Sequence, residues 1–284
     1  MDILLHDLTI EPIGMCNLQC RSCYVHKKRM VIPKEIILDF VTKYLEEVHG
    51  PLRLFWIGRG EITLYKDFAE LVNYFSKIYP ERISHLIQTN GILIGDIARQ
   101  FERVDNVVVS ISIDGLREAH DQNRGKGTFD TIIENVKLLL ELGIKVQVQT
   151  LLLPENIREI HEFADFINDI SPDIPIQYLP PLVKEDVEAL DPDSTRPPPL
   201  TRADVEELQA LLETPEYRDI KDNTGEIGLT RYLTISCEGY IYNCCECQIK
   251  IGGLETPIST LLDRLQNDRL CIPCNMKATC FPEN

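Results

Sequence analysis

No stretch of this 284-residue chain is apolar for long enough to cross a bilayer, which takes about 20 consecutive apolar residues as a helix. The opening MDILLHDLTI lacks the basic stretch that begins a signal peptide, so a cytoplasmic protein without membrane association is expected. Positive charge is scarce. Lys and Arg number 29 against 45 Asp and Glu, for a formal net charge of −16. Such a field repels polyphosphate and argues against nucleic acid as the main partner. The one concentrated basic run, HKKRM from His26 to Met30, reads as a solvated loop edge. Cysteine, finally, is absent from the whole stretch between Cys23 and Cys237.

What is present is therefore concentrated at two places. Cys16, Cys20 and Cys23 form a C-x3-C-x2-C run, and Cys237, Cys244, Cys245, Cys247, Cys271, Cys274 and Cys280 follow in the tail. A reducing cytosol disfavours disulfides, so clustered thiols there read as metal ligands. The distribution implies two metal centres separated by a cysteine-free scaffold.

Periodicity describes that scaffold. HDLTIEPIG is β-rich, and PKEIILDFVTKYLEEVHG is a helix with Pro33 in its first turn and Gly50 at its end. LRLFWIG, SHLIQTNG, VVVSISIDG, IKVQVQTLLL and IPIQYLP read as strands. DFAELVNYFSKIYP, GDIARQFER, TFDTIIENVKLLLELG and NIREIHEFADFINDI read as the helices between them, and TRADVEELQALLE completes a sixth unit. Near-continuous apolar strands alternating with helices predict a parallel sheet covered by helices. Periodicity leaves open whether that sheet is doubly wound or part of a β/α barrel. In both, ligands sit at the C-terminal ends of the strands. The three opening cysteines, GRGEI, TNG and SIDG all fall there.

Three thiolates are one ligand short of a closed tetrahedral zinc site or a fully ligated cubane. On one [4Fe–4S] cluster they leave an iron with an open position. A zinc knuckle completed by His26 or by a tail cysteine is the competing reading. The tail has its own pattern. PLVKEDVEALDPDSTRPPPL is a proline- and acid-rich connection, RYLTISCEGYIYNCCECQ alternates like a hairpin turning at Glu238-Gly239, and a helix then runs into C-x2-C-x5-C. A zinc ribbon suits such C-x2-C pairs as well as an iron–sulfur cluster does.

These motifs, taken in order, resemble the radical S-adenosylmethionine (radical SAM) enzymes. The C-x3-C-x2-C run followed by the aromatic Tyr24 resembles their cluster loop, and GRGEITL their glycine-glycine-glutamate segment, with Arg59 and Ile62 as departures. SISIDGLREAHDQNRGKGTFD and IQYLPPL resemble strand-end segments of the subfamily with extra C-terminal clusters. Gly239 to Cys244 with the later C-x2-C-x5-C resembles its SPASM domain, or the shorter twitch form. The resemblance implies a partial (β/α)6 barrel of parallel strands with a small C-terminal β-hairpin and helix iron–sulfur domain. The core would occupy 1–182, a connecting segment with a helix 183–229, and the auxiliary domain 230–284.

By the same resemblance Cys16, Cys20 and Cys23 ligate a catalytic [4Fe–4S] cluster, and Tyr24, Gly60, Glu61, Ser112, Arg124 and Gln149 contact S-adenosylmethionine. One auxiliary cluster draws its ligands from Cys271, Cys274 and Cys244, with Cys237, Cys247 or Cys280 as the fourth. Cys245, a spare thiol, is the candidate catalytic hydrogen donor. Flavodoxin or ferredoxin would supply electrons. The expected reaction is hydrogen-atom abstraction from an unactivated C–H bond of a small molecule or short peptide, ending in oxidation or dehydrogenation. A redox-neutral epimerase is the alternative, and a non-catalytic zinc or iron–sulfur protein the alternative of another class.

Overall fold

The computed structural model of the protein describes residues 7–23, 25–179, 201–222, 233–243 and 249–267. Its elements run β1 (Asp7–Ile10), α1 (Lys34–Glu47), β2 (Leu52–Trp56), α2 (Phe68–Ile78), β3 (Ile83–Thr89), α3 (Ile94–Ala98), β4 (Val107–Ser112), α4 (Arg117–Arg124), α5 (Thr128–Glu141), β5 (Lys145–Leu151), α6 (Ile160–Ile170) and β6 (Ile176–Leu179). There follow α7 (Arg202–Leu212), α8 (Arg218–Asp222), β7 (Leu233–Ile235), β8 (Tyr240–Tyr242), β9 (Lys250–Gly253) and α9 (Ile258–Asn267). Among the described residues no helix is long and apolar enough to cross a membrane.

Strands β1 to β6 lie side by side in chain order, all parallel. A doubly wound sheet would reverse its order at a switch point, so the sequential order identifies an unclosed barrel. The other edge of β1 takes β7, again parallel, and β8 and β9 follow antiparallel. The described part of the tail thus continues the core sheet. Its hairpin turns at Gly239, whose φ of +81° suits a residue without a Cβ.

The two faces of the strands differ. Leu52, Leu54 and Trp56 of β2, Ile83 and Ile87 of β3, Val107, Val109 and Ile111 of β4, and Val146 and Val148 of β5 are buried in one apolar core. The alternate positions carry Gln88, Ser112, Gln147, Gln149 and Gln177, which are half-buried. The predicted near-continuous apolar strands are therefore replaced by an alternation, because an open barrel leaves its concave face partly wet.

Within the core the Trp56 indole N–H donates to His85 Nδ1 at 2.9 Å, and the Ser76 hydroxyl meets His85 Nε2 at 3.1 Å. Burial pushes the His85 pKa down to about 3, so this ring is neutral. Gly143 closes α5 as its position predicts, at φ +74°, with the Ile144 N–H returning to the Leu139 carbonyl. Thr201 and Asp204 cap α7 reciprocally.

Candidate active site

The three opening cysteines lie on the long loop that leaves β1. Its neck is stitched shut: Gly14 N–H donates to Met30 O, Lys28 N–H to Gly14 O and Ile32 N–H to Pro12 O, at 2.9–3.0 Å. Gly14 is required there, since a Cβ would stand 2.6 Å from the Lys28 carbonyl oxygen. Within the loop Leu18 N–H points at Cys16 Sγ and Cys23 N–H donates to Cys20 O. All three thiols are half-buried.

Neighbouring strand ends hold this loop. After β2, Gly60 lies so close to Met15 that a Cβ would be 1.9 Å from its carbonyl oxygen, and Glu61 N–H donates to that oxygen at 2.7 Å. The Glu61 carboxylate is buried and faces four protein donors. Oε1 accepts from Thr63 N, Thr63 Oγ1 and Thr89 Oγ1 at 3.1, 2.7 and 2.6 Å, and Oε2 accepts from Asn90 N at 2.7 Å. After β3, the Asn90 side chain donates to Asn17 Oδ1 at 2.8 Å and approaches Cys16 Sγ at 3.9 Å.

The third fastening comes from α4, whose polar HDQNR stretch gives no periodic signal in the sequence. Asn123, next to its last residue, accepts Arg21 N–H on its carbonyl at 2.7 Å and Ser22 N–H on Oδ1 at 2.9 Å. Its Nδ2 donates to Asp114 Oδ2 at 2.6 Å. Arg124 donates to the same carboxylate, Nε to Oδ2 at 2.6 Å and Nη2 to Oδ1 at 3.2 Å. Asp114 also accepts Leu151 N–H at 3.1 Å, which ties it to β5. Arg124 is 14% exposed and Asp114 wholly buried. Burial is the largest influence on Asp114 and works to raise its pKa, but the Arg124 charge and hydrogen bond, the Leu151 N–H and His120 together outweigh it and hold the carboxyl below its usual range. Arg21, exposed, pairs with Glu155 beyond β5.

Burial raises the Cys20 pKa, Arg124 opposes it, and Cys23, Cys16 and Asp114 add to the rise. The three thiols are thus electrostatic neighbours. Among the described residues, however, no three His, Cys, Asp or Glu side chains stand close enough to share one metal ion. Three thiolates on one loop are a donor set of the kind that ligates an iron–sulfur cluster.

Toward the concave face, Gln88 Nε2 donates to Ser112 Oγ at 3.2 Å and to Gln149 Oε1, and Gln149 Nε2 donates to Gln177 Oε1 at 2.9 Å. The structure therefore brings the predicted Ser112 and Gln149 into one polar row across β3 to β6. It adds Gln88 and Gln177, which the alternation in SHLIQT and IQYL could have flagged. It likewise adds Asn90, Asn123, Asp114 and Glu155 to the site.

Cys237 is buried in the β7–β8 turn, with its Sγ 3.3 Å from where a Gly14 Cβ would stand. Burial, then Glu11 and Glu238, push its thiol up to about 11 against the pull of Arg59 and Lys28. Lys28 of the cluster loop pairs with Glu238 in the same turn. Tyr24, Cys244, Cys245, Cys247, Cys271, Cys274 and Cys280 lie outside the described residues.

Residues 10–167 match the family model of the Radical SAM superfamily. The chain is 29% identical over 179 residues to a serine-type anaerobic sulfatase-maturating enzyme of Bacteroides thetaiotaomicron, covering 57% of this chain and 43% of that protein. It is 31% identical over 159 residues to an Fe-coproporphyrin III synthase of Methanosarcina barkeri, covering 54% of this chain and 39% of the other. These matches span less than half the length of either relative. The structure of anSMEcpe with bound AdoMet and the Cp18Cys peptide superposes with a TM-score of 0.68 at 19% identity, covering 90% of this chain and 80% of that one.

Proposed function

The chain belongs to the radical SAM superfamily, a family of enzymes that use S-adenosylmethionine and a [4Fe–4S] cluster, and from that premise we propose that it abstracts a hydrogen atom from an unactivated C–H bond of a peptide or small-molecule substrate and oxidises or dehydrogenates it. The observation that carries this is the fastened loop: three half-buried thiols held at the rim of an open parallel barrel by Glu61, Asn90 and Asn123.

When bound, S-adenosylmethionine and the clusters would supply the one-electron chemistry that takes a hydrogen atom from the substrate and accepts a second electron. The protein's part is to bind, orient and exclude water. Cys16, Cys20 and Cys23 hold the catalytic cluster. Gly60 lets the segment after β2 close on Met15. Ser112 and Gln149, oriented by Gln88 and Gln177, offer a hydroxyl and amides to the polar part of S-adenosylmethionine. Tyr24 flanks the loop. Glu61 is first a keystone of the loop, with acceptor capacity left on Oε2 for the cofactor's amino group. Cys271, Cys274 and Cys244 hold the auxiliary cluster, with a fourth ligand from Cys247 or Cys280. Cys237, whose sulfur packs against Gly14, is the other choice for that fourth ligand. Flavodoxin or ferredoxin is the electron donor.

A peptide or protein substrate is favoured by two of the likenesses: one relative matures sulfatases, and one structural neighbour holds a peptide. A redox-neutral epimerase is the second reading, favoured by one observation. Cys237 is a buried, protonated thiol at the root of the cluster loop, and a hydrogen donor must be protonated.

Anaerobic reconstitution tests the proposal. The protein should take up about eight irons, as two cubanes of four. Replacing Cys16, Cys20 and Cys23 with Ala should halve that and end cleavage of S-adenosylmethionine. Stoichiometric zinc without iron would refute the radical reading. In deuterium oxide an oxidation gives a product two mass units lighter, whereas an epimerase incorporates one deuterium. Loss of that deuterium in Cys237→Ala or Cys245→Ala would identify the donor.

A further inference from the structure

We propose that the buried Asp114–Arg124 pair sets the reduction potential of the cluster carried by Cys16, Cys20 and Cys23, with Arg124 drawing it up and Asp114 drawing it down. This rests on the reading that these three thiols hold a [4Fe–4S] cluster. Arg124, one of the expected cofactor contacts, has Asp114 as its acidic partner, and its charge acts on the thiols.

The placement is built rather than incidental. Asn123 grips the main chain at Arg21 and Ser22, between the last two cysteines. That grip fixes the end of α4 to the Cys20–Cys23 segment, and Arg124 is the next residue. Its charge acts on both Cys20 and Cys23. The Asp114 charge acts on Cys20 with the opposite sign and the smaller weight. Behind the pair, Asp114 is anchored independently, by Leu151 N–H and by the Asn123 amide.

The pair is poorly explained as a stability device. Taking two charges out of water costs as much as their attraction returns, so a buried ion pair is weak evidence for stability. What it gives is a buried pair of opposite charges beside the Cys20–Cys23 segment, with Arg124 the stronger of the two on Cys20, in a place solvent screens little. Adding one electron adds one negative charge at the cluster, and the near cation favours that state. The other ionisable groups facing the pair contribute less. His120 is neutral, its pKa pushed down to about 4 by burial and Arg124. Arg21 is exposed and neutralised by Glu155. Arg124 is thus a positioning residue acting through the cluster.

The test is a redox titration of the full reconstituted chain followed by electron paramagnetic resonance, the catalytic signal being the one absent when Cys16, Cys20 and Cys23 are replaced by Ala. Arg124→Gln should make reduction at least tenfold less favourable, a shift of about 59 mV to more negative potential for one electron. Asp114→Asn, nearly isosteric, should shift it the other way, and Arg124→Lys should stay near the parent. A purely structural clasp would move both neutralising variants together. Shifts of the same sign, or potentials unchanged in both, overturn the proposal. If Arg124→Gln loses its iron, Asp114→Asn decides: a shift to more positive potential supports the proposal, and no shift or a negative one overturns it. Loss of iron in all three, with the parent still loaded, assigns the pair a structural role and also overturns it. A parent that takes up no iron refutes instead the functional reading beneath it.

Discussion

Glu61→Gln separates a keystone from a cofactor contact. The change keeps the side chain's shape and replaces one acceptor oxygen with a two-donor nitrogen. Glu61 offers its two oxygens to four donors, three on Oε1 and one on Oε2. The least costly orientation of Gln keeps its oxygen toward Thr63 and Thr89. Its NH2 then faces the Asn90 N–H, which cannot turn away. That leaves a buried donor against a donor, worth about 1–3 kcal/mol, besides weakening three charge-assisted bonds. The flipped orientation opposes three donors and is worse. A loss of about 2 kcal/mol corresponds to roughly 4 °C in Tm for this 284-residue chain, taking about 2 °C per kcal/mol, the large-domain end of the usual range. Because the Asn90 side chain also holds Asn17 and approaches Cys16, the damage should reach the cluster loop.

The measurement is a thermal melt of the iron-free protein beside iron uptake and S-adenosylmethionine affinity. Expected are a lower Tm without any cofactor present and slower or incomplete iron loading. Thr89→Val removes one of the four donors and should cost about 1 kcal/mol. An unchanged apo Tm, with S-adenosylmethionine affinity alone reduced, would refute the keystone and make Glu61 a cofactor ligand only.

Gly60→Ala would set a methyl group 1.9 Å from the Met15 carbonyl oxygen, and neither side of that contact is a flexible side chain. Backbone must move, so the variant should lose about 3 kcal/mol or more and fail to hold the catalytic iron while keeping the tail's, as iron analysis would show. Two buried neutral histidines predict a pH dependence. His85 and His120 have pKa values pushed down to about 3 and about 4, so the unfolded chain binds protons that the folded one refuses. Their contribution is whole above about pH 6.5 and is lost as pH falls toward those values, at about 1.4 kcal/mol per pH unit for each ring. Denaturant melts between pH 7 and pH 5 should therefore steepen with acid, and a flat profile would show that the rings protonate without unfolding.

The order of strands and helices was legible because β/α alternation is a local signal. Val107 to Ile111 and the apolar stripe of α5 need only their neighbours to be read. Sheet curvature was not. Whether six βα units close toward a barrel depends on strand order, which no single strand encodes. The glutamines of β3, β5 and β6 were the clue to it. A strand buried on both faces would not carry Gln88, Gln147, Gln149 and Gln177 at alternate positions. The tail hairpin and its Gly239 turn were legible. The pairing of β7 with β1 was not, because it joins residues far apart in the chain.

The site divides the same way. Residues that present chemistry announce themselves by type and spacing, as the three cysteines do. Residues that hold those in place are ordinary asparagines and threonines whose meaning is relational. Asn90 and Asn123 lie about thirty positions apart, and only the fold shows that both grip the cysteine loop, one beside Cys16 and the other beside Cys20. The same holds for the departure from two glycines before Glu61. Gly60 is the one that touches Met15 backbone, so it alone must lack a side chain. At the preceding position Arg59 is accommodated, and its charge acts on Cys237 and Tyr242 across the junction with the tail. A glycine that the motif leads one to expect is thus required only where two backbones meet. The Arg59 substitution need not disturb the seat of the cofactor, and Arg59→Gly should leave iron uptake unchanged while moving the Cys237 thiol further up.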